Sequence, residues 1–203
     1  MKDRLPSGAY RDFQRNTQFE TFVAREAVRF LKRFGSRQPF FLVASFLKPH
    51  DPFMPIERFA RLFRPDDMRL PETWGKVDLA SAPAEVRRAI ERNGPTPELS
   101  SPEMARRRIA LYYASLAQMD EGLGKVLTAM RDLNLERNTV VVYTSDHGEM
   151  LGDHGLWQKF QFYEGSGGVP LLVRVPGVTP AGTSCRIPVS HVQVLPTLAV
   201  TLH

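Results

Sequence analysis

Two short apolar runs, each released into a polar cluster that contains a histidine, constrain this 203-residue chain more than any other feature. Thr139 to Thr144 reads Thr-Val-Val-Val-Tyr-Thr, a β-branched and aromatic run too short for a helix. It lacks polar alternation, as expected of a strand buried on both faces. The run stops at Ser145-Asp146-His147-Gly148. An earlier run, Pro39 to Phe46, reads Pro-Phe-Phe-Leu-Val-Ala-Ser-Phe and is expected to be a second central strand; it ends in Lys48-Pro49-His50-Asp51-Pro52. Ligands of open α/β sheets bind just outside the carboxyl ends of strands. Asp146, His147 and His50 therefore stand where chemistry is expected, and two such strand ends imply one shared cleft.

Helical patterns separate the runs. From Thr17 the pattern is helical, with Thr17 and Glu20 at capping-box spacing, an apolar face that includes Phe19, Phe22, Leu31 and Phe34, and Gly35 as the stop. Ser101 and Pro102 begin a long helix whose expected buried stripe includes Ile109, Tyr112, Leu116, Met119, Leu127 and Met130, with Asn134 as terminator. Val169 to Val175 reads as a further strand and His191 to Leu202 as the start of a helix. Residues 1–15 read as an extended entry segment. Helix, strand, long helix, strand is the alternation of a doubly wound α/β sheet.

Residues 53 to 101 form a long insertion rich in Pro, Arg, Asp and Glu, with a short helical pattern near Ala84 to Glu91. A segment of this length inside a compact domain is a lid, a binding loop or disorder. Phe53, Met54, Phe59, Phe63 and Trp74 argue for packing.

The formal charge is +5, yet no block of five or six like charges occurs, so nucleic acid is not an expected partner. Arg106-Arg107-Arg108, the densest run, is expected on a solvated helix face. No apolar segment approaches a membrane span, and Met1-Lys2-Asp3-Arg4 lacks a signal-peptide core. These features leave localisation open. Cys185 is the sole cysteine, expected as a packed or edge-strand thiol.

The familiar nucleophile elbow, phosphate loop, dinucleotide turn and zinc-protease helix are all absent. What remains is a donor set for a metal or an oxyanion. The Asp146 carboxylate suits Ca²⁺, Mg²⁺ or Mn²⁺, and His147 adds a nitrogen ligand. Lys159 follows a loop punctuated by Gly148, Gly152 and Gly155, which can fold back and bring an ammonium beside a bound anion. His50 can hydrogen-bond an oxyanion or protonate a leaving oxygen. Spacing alone favours a plainer reading in which Asp-His-Gly is a turn and Lys159 a surface residue. His154 and His191 read as structural, and Trp157, Phe160 and Tyr163 as residues that pack the loop carrying Lys159.

A resemblance reverses that preference. Thr144-Ser145-Asp146-His147-Gly148, then Leu151 through Lys159, Tyr163-Glu164 and Val169-Pro170-Leu171 resemble the sulfatases of the alkaline phosphatase superfamily. The segment ending in Lys48-Pro49-His50-Asp51-Pro52, the helix around Tyr112-Tyr113-Ala114, and Ser190-His191-Val192 with Leu195-Pro196-Thr197 extend the match over most of the chain. The resemblance implies an alkaline-phosphatase-like doubly wound sheet with flanking helices. It also implies Asp146 and His147 as metal ligands, Lys159 as a sulfate contact, and His50 at the leaving oxygen or the sulfate. The implied cofactors are a divalent cation, Ca²⁺ first with Mn²⁺ or Mg²⁺ as alternatives, and a formylglycine nucleophile made from Cys or Ser. Histidine after the metal aspartate is similar to the iduronate-sulfatase, choline-sulfatase and phosphonate-monoesterase branches.

The family's Cys-x-Pro-x-Arg motif and its paired N-terminal aspartates are absent, since Cys185-Arg186-Ile187-Pro188 has the wrong order. Gly168 stands where the family often has arginine, and Gln193 where it often has aspartate. The expectation is therefore one partial sulfatase-type catalytic domain over residues 1–203, cut before its nucleophile half and inactive alone. The parent is expected to hydrolyse a sulfate ester of a small molecule or glycan. A phosphonate monoester or phosphodiester hydrolase, or a noncatalytic anion-binding module, are the alternatives. An unpaired sheet edge predicts that the isolated chain self-associates or folds marginally; a clean monomer by light scattering would count against this.

Overall fold

The computed structural model describes residues 19–76, 78, 80–93 and 101–202. Thr17 and the expected entry segment lie outside the described residues. Helix α1 spans Phe19–Phe34, α2 Glu57–Ala60, α3 Ala84–Asn93 and α4 Pro102–Asp132. Strand β1 follows at Val141–Thr144, the short helix α5 at Glu164–Gly167, strand β2 at Leu171–Arg174, and α6 at Val194–Thr201.

Helix α4 is the axis on which the rest is laid. The Ser101 side chain accepts the Met104 N–H at 3.1 Å, and Pro102 occupies the first turn, where a missing N–H costs nothing. At the other end Asn134 takes the left-handed conformation, with φ 57°. Its N–H reaches the Arg131 carbonyl and the Leu135 N–H the Met130 carbonyl. This is the Schellman arrangement that the terminator predicts.

The buried stripe of α4 holds Ile109, Met119 and Met130 as expected, but it is filled out by small residues rather than by Leu127. Ala105, Ala110, Ala114, Gly122 and Ala129 are buried, together with Ile109, Met119 and Met130, whereas Leu127 is exposed. Small residues win because α1 and the insertion approach α4 closely. A Cβ at Gly122 would stand 2.9 Å from the Phe46 ring. The α1 face is displaced likewise: Ala24, Ala27 and Leu31 pack against Val126, Ala129 and Met130, while Phe19 and Phe22 remain about half exposed, at 50% and 48%. Gly35 ends α1 through close approach, since a Cβ there would meet the Leu135 side chain and the Leu31 carbonyl, each at 2.7 Å.

Residues 40–46 keep strand periodicity without pairing to another strand among the described residues. Phe40, Leu42, Ala44 and Phe46 lie on the α1–α4 core, and Phe41 and Val43 face outward, exposed by 76% and 71%. The expected second central strand is thus half covered. Strand β1 pairs antiparallel with β2, Val141 opposite Arg174 and Thr144 opposite Leu171. The connection between them holds only the four-residue α5 and a short 3₁₀ turn, too little for the helical crossover that parallel pairing needs. β1 is half-buried rather than covered on both faces, with Val141 packed against the α1–α4 core and Thr144 exposed.

The 53–101 insertion is folded where described. Ile56 and Phe59 pack on Ala114, and Met68, Leu70 and Trp74 gather around Ala105, Ile109 and Trp157. This wrapping corrects the expected solvated arginine face. Arg106 donates to the Met68 carbonyl at 2.7 Å, and Arg108 is enclosed between aromatic rings. Cys185 is exposed in a loop rather than packed in a strand.

Glu121 on α4 joins Arg58 and Lys125, each at 2.7 Å. The hydrogen bond from Arg58 leads in lowering its carboxyl from 4.5 to about 2, against a smaller opposing push from burial. A carboxylate depressed in the folded state contributes stability above its unfolded value, and that contribution is lost as pH falls from about 4.5 toward 2. Glu121→Gln should cost about 1 kcal/mol at neutral pH, after discounting for the partly exposed pair. Denaturant titrations of both proteins should converge toward pH 2.

Candidate active site

The site forms where β1 ends. The Ser145 hydroxyl donates to the His147 carbonyl at 2.9 Å, which turns the chain out of the strand. His147 Nδ1 lies 2.7 Å from the Gly148 carbonyl, and His50 Nδ1 lies 2.7 Å from the Asp51 carbonyl. A ring nitrogen facing a carbonyl must carry the proton, so in each ring Nδ1–H donates and Nε2 keeps its lone pair. The two rings meet edge to face with centroids 5.6 Å apart.

Lys159 fills the space that both Nε2 atoms face. Its Nζ is 2.6 Å from His50 Nε2 and 2.8 Å from His147 Nε2. An ammonium has three N–H groups and no acceptor, so it donates to both imidazoles and keeps one donor in reserve. Asp146 Oδ2 is 3.5 Å from His147 Nε2, and the Asp146 side chain is 86% exposed. Desolvation pushes its carboxyl up, but His147, the Asp146 and His147 backbone N–H groups and the Ser145 hydroxyl together hold it below the usual range. The structure thus brings Asp146, His147, His50 and Lys159 into one cluster.

The loop that returns Lys159 is a closed ribbon. Met150 N–H donates to the Gln158 carbonyl at 2.8 Å, and Gly152 N–H to the Leu156 carbonyl at 2.7 Å. Leu151, His154, Gln158 and Phe160 all adopt positive φ, which costs each of these residues about 1 kcal/mol or more. Packing overrides that strain. Trp157 is buried beside Ala105 and Ile109, with Trp74 against it at 6.5 Å between ring centroids. Tyr163 stacks on His154 at 4.2 Å, and Thr73 bonds both the Asp153 carboxylate and the His154 N–H. Phe160 differs from expectation. It is exposed, because its positive φ turns it away from the core that Trp157 fills. His191 Nε2 lies 3.4 Å from the Thr144 hydroxyl, outside the cluster.

Beneath the site lies a polar layer. Glu149 accepts the Gln158 N–H at 2.5 Å and the Leu151 N–H at 3.4 Å. Burial raises its carboxyl, and these bonds together with Arg108 only partly offset that. The Arg108 guanidinium lies 5.0 Å from the Phe53 ring centroid and 4.7 Å from that of Trp157. Burial lowers its pKa, against the opposing charges of Glu149 and Asp51. Gln158 Nε2 donates to Asp51 Oδ2 at 3.1 Å. Sequence reasoning passed over Asp51, Arg108, Glu149 and Gln158 as participants, because their partners are brought together only by the tertiary fold. Glu149, directly after Asp-His-Gly, was the one position with a local cue.

A strand end carrying a carboxylate, two imidazoles and an ammonium thus sits on mixed helices and strands of the alkaline-phosphatase-like kind. The fold neighbours include the phosphonate monoester hydrolase of Agrobacterium radiobacter, with TM-score 0.64 and 28% identity over 80% of this chain and 34% of that one. The sulfatase family model matches residues 5–202, and the chain belongs to that family. It is 33% identical to choline-sulfatase from Rhizobium meliloti over 164 residues, 81% of this chain and 31% of the relative. It is 32% identical to iduronate 2-sulfatase from Homo sapiens over 185 residues, 86% of this chain and 32% of the relative. The chain therefore spans about a third of the length of these curated relatives.

Asp146 and His147 carry donor types that fit part of a divalent-cation shell, an exposed carboxylate and an imidazole Nε2 whose lone pair accepts the Lys159 N–H at 2.8 Å, a contact a cation would have to displace. Among the described residues no group of three or more His, Cys, Asp or Glu could hold a metal. Nothing here fits a formylglycine, because exposed Cys185 lacks the x-Pro-x-Arg that would follow it.

Gly148 secures the turn. Its N–H donates to the Ser166 carbonyl at 2.7 Å, and a Cβ there would stand 2.1 Å from the Gly165 carbonyl oxygen. Backbone cannot yield as a flexible side chain can, so Gly148→Ala should destabilise by about 3 kcal/mol. Thermal unfolding of wild type and variant measures this, and an unchanged Tm would contradict the packing described.

Proposed function

We propose that this chain is part of a sulfuric ester hydrolase, in which His50 and Lys159 act on the sulfate ester and Asp146 and His147 supply part of a divalent-cation site. The observation that carries the reading is Lys159 Nζ held between two imidazole Nε2 atoms beside the Asp146 carboxylate. The names of the relatives, choline-sulfatase and iduronate 2-sulfatase among them, support sulfate over other esters.

The chemistry assigned to these residues follows from their donors. A sulfate ester gains negative charge on its oxygens as the ester bond breaks, and fixed positive donors stabilise that charge. Lys159 has one N–H beyond the two given to the histidines, and we assign it to a sulfate oxygen. His50, with Nδ1–H tied to the Asp51 carbonyl, presents Nε2 toward the Lys159 ammonium. A proton carried on that nitrogen can be delivered to the departing alcohol oxygen while Lys159 keeps its charge. The cation, Ca²⁺ first among the candidates, would be held in part by Asp146 and His147 and would add electrophilic charge at the sulfate. The nucleophile and the remaining metal ligands would come from residues outside this chain. A longer polypeptide with a sulfated small molecule or glycan as substrate is consistent with the length of the relatives.

Phosphonate monoester hydrolysis is the second reading, favoured by the Agrobacterium radiobacter neighbour. Assay of the full-length protein on p-nitrophenyl sulfate and p-nitrophenyl phosphonate separates the two. We expect preference for the sulfate, loss of that activity on removing divalent cations with a chelator, and a drop in kcat of about a hundred- to thousandfold for both Asp146→Ala and Lys159→Ala. Preference for the phosphonate would replace the sulfatase reading. Unchanged rates in both variants would remove the assigned roles.

A further inference from the structure

Lys159 reaches His50 across a gap that no backbone hydrogen bond spans among the described residues, so something must fix the loop bearing Lys159 relative to the turn bearing His50. Gln158 makes that connection. Its backbone N–H donates to Glu149 Oε1 at 2.5 Å, and its side-chain amide donates to Asp51 Oδ2 at 3.1 Å. Asp51 in turn accepts His50 Nδ1 at its carbonyl, 2.7 Å away. One residue thus ties the loop to both carboxylates, directly beside the lysine and one step from the histidine. The connection works against the local preference of the chain, because Gln158 and Phe160, on either side of Lys159, have φ of 68° and 87°. Released from its partners, this stretch would relax to ordinary φ and carry Nζ away from the imidazoles.

We propose that Gln158 is a positioning residue whose amide, through Asp51, sets the Lys159–His50 geometry. The residue type fits the task. A carboxylate at 158 would face Asp51 with like charge, and an apolar side chain would leave Asp51 Oδ2 without this donor. A neutral donor of glutamine length does neither. Arg108, between Phe53 and Trp157, sets a positive charge against both carboxylates.

The inference rests on the sulfatase reading for its kinetic arm and is independent of it in its structural arm. In the full-length protein, Gln158→Met keeps the shape and removes the donor. We expect kcat on p-nitrophenyl sulfate to fall about a hundredfold, as displacement of a catalytic group does, with KM and Tm nearly unchanged. Gln158→Glu should lose more, and Gln158→Glu combined with Asp51→Asn should regain most of it, since that pair reverses the polarity of the bond and keeps the total charge. A space-filling role would not be rescued by the swap. Should Gln158→Met fail to fold, Gln158→Asn withdraws the amide by one methylene and gives the same readouts. Amide hydrogen exchange supplies the activity-independent arm: removing the donor should speed exchange in residues 156–162 and also in residues 47–53. Faster exchange confined to 156–162, or kcat unaffected by Gln158→Met, overturns the proposal. If wild type leaves the sulfate ester untouched, the sulfatase reading fails while the exchange pattern still decides the role of Gln158.

Discussion

The half-buried carboxylate of Glu149 is the interaction on which the site depends. It accepts the N–H groups of Leu151 and Gln158, near the two ends of the loop that brings Lys159 back to the strand end. A carboxylate away from water is costly unless donors surround it. Here burial already pushes its pKa upward, and the Arg108 charge works against that push. Arg108 in turn has little freedom, because Phe53 from the insertion and Trp157 from the loop enclose its guanidinium. An ion held by aromatic faces gives up some hydration and gains quadrupole attraction in its place. Loop, insertion and long helix are therefore interlocked by charge and not only by apolar contact.

That interlock requires α4 to pass close to everything else, and its small residues make this possible. Ala105 lies against Trp157 and Trp74, Ala114 against Ile56 and Phe59, and Gly122 against Phe46. Gln118, buried between them, accepts the Ile56 N–H at 3.0 Å and so ties the start of α2 to the axis. A row of leucines at these positions would hold the insertion and the His50 turn several ångströms farther out. The spacing on which the site relies is thus set by what the helix lacks in side-chain volume. Glu20, buried on α1, accepts the Lys48 N–H at 3.1 Å and anchors the same turn from the other side.

This explains which parts of the molecule were legible in the sequence. Caps and stops act through neighbours a few residues away, so Ser101, Pro102, Asn134 and Gly35 announce the helix ends they make. The two polar clusters could be read as strand-end sites, and the glycine loop as one able to return Lys159, because both inferences need only local chain geometry. The helix faces could be read only in part: Ile109, Met119, Met130 and Leu31 are buried as their spacing predicts, whereas Leu127, Phe19 and Phe22 are not. Hydrophobic spacing favours the largest apolar residues, whereas the closest helix contacts favour the smallest ones, and only the partner decides between them. The strand pattern of residues 40–46 had the same difficulty: apolarity on both faces is visible, but the identity of the backbone that would pair with it is not. Arg108 was misread for a related reason. Three adjacent arginines resemble a solvated face until the insertion that covers them is known to fold over that turn.

The two departures from the family pattern have local physical accounts. Gln193 accepts the Ser190 N–H at its side-chain oxygen, 2.7 Å away, and completes a capping box ahead of α6. An aspartate there is shorter by one methylene and suits that return less well. Gly168 ends α5, where a Cβ would stand 2.7 Å from the Glu164 carbonyl oxygen. A larger side chain would open this turn. The turn lies directly after Ser166, whose carbonyl accepts the Gly148 N–H at 2.7 Å and holds the residue next to His147. Opening the turn at 168 would therefore be transmitted through one hydrogen bond to the imidazole. In this chain the glycine allows the α5 turn to close against the Glu164 carbonyl, and so braces the strand end through Ser166 and Gly148.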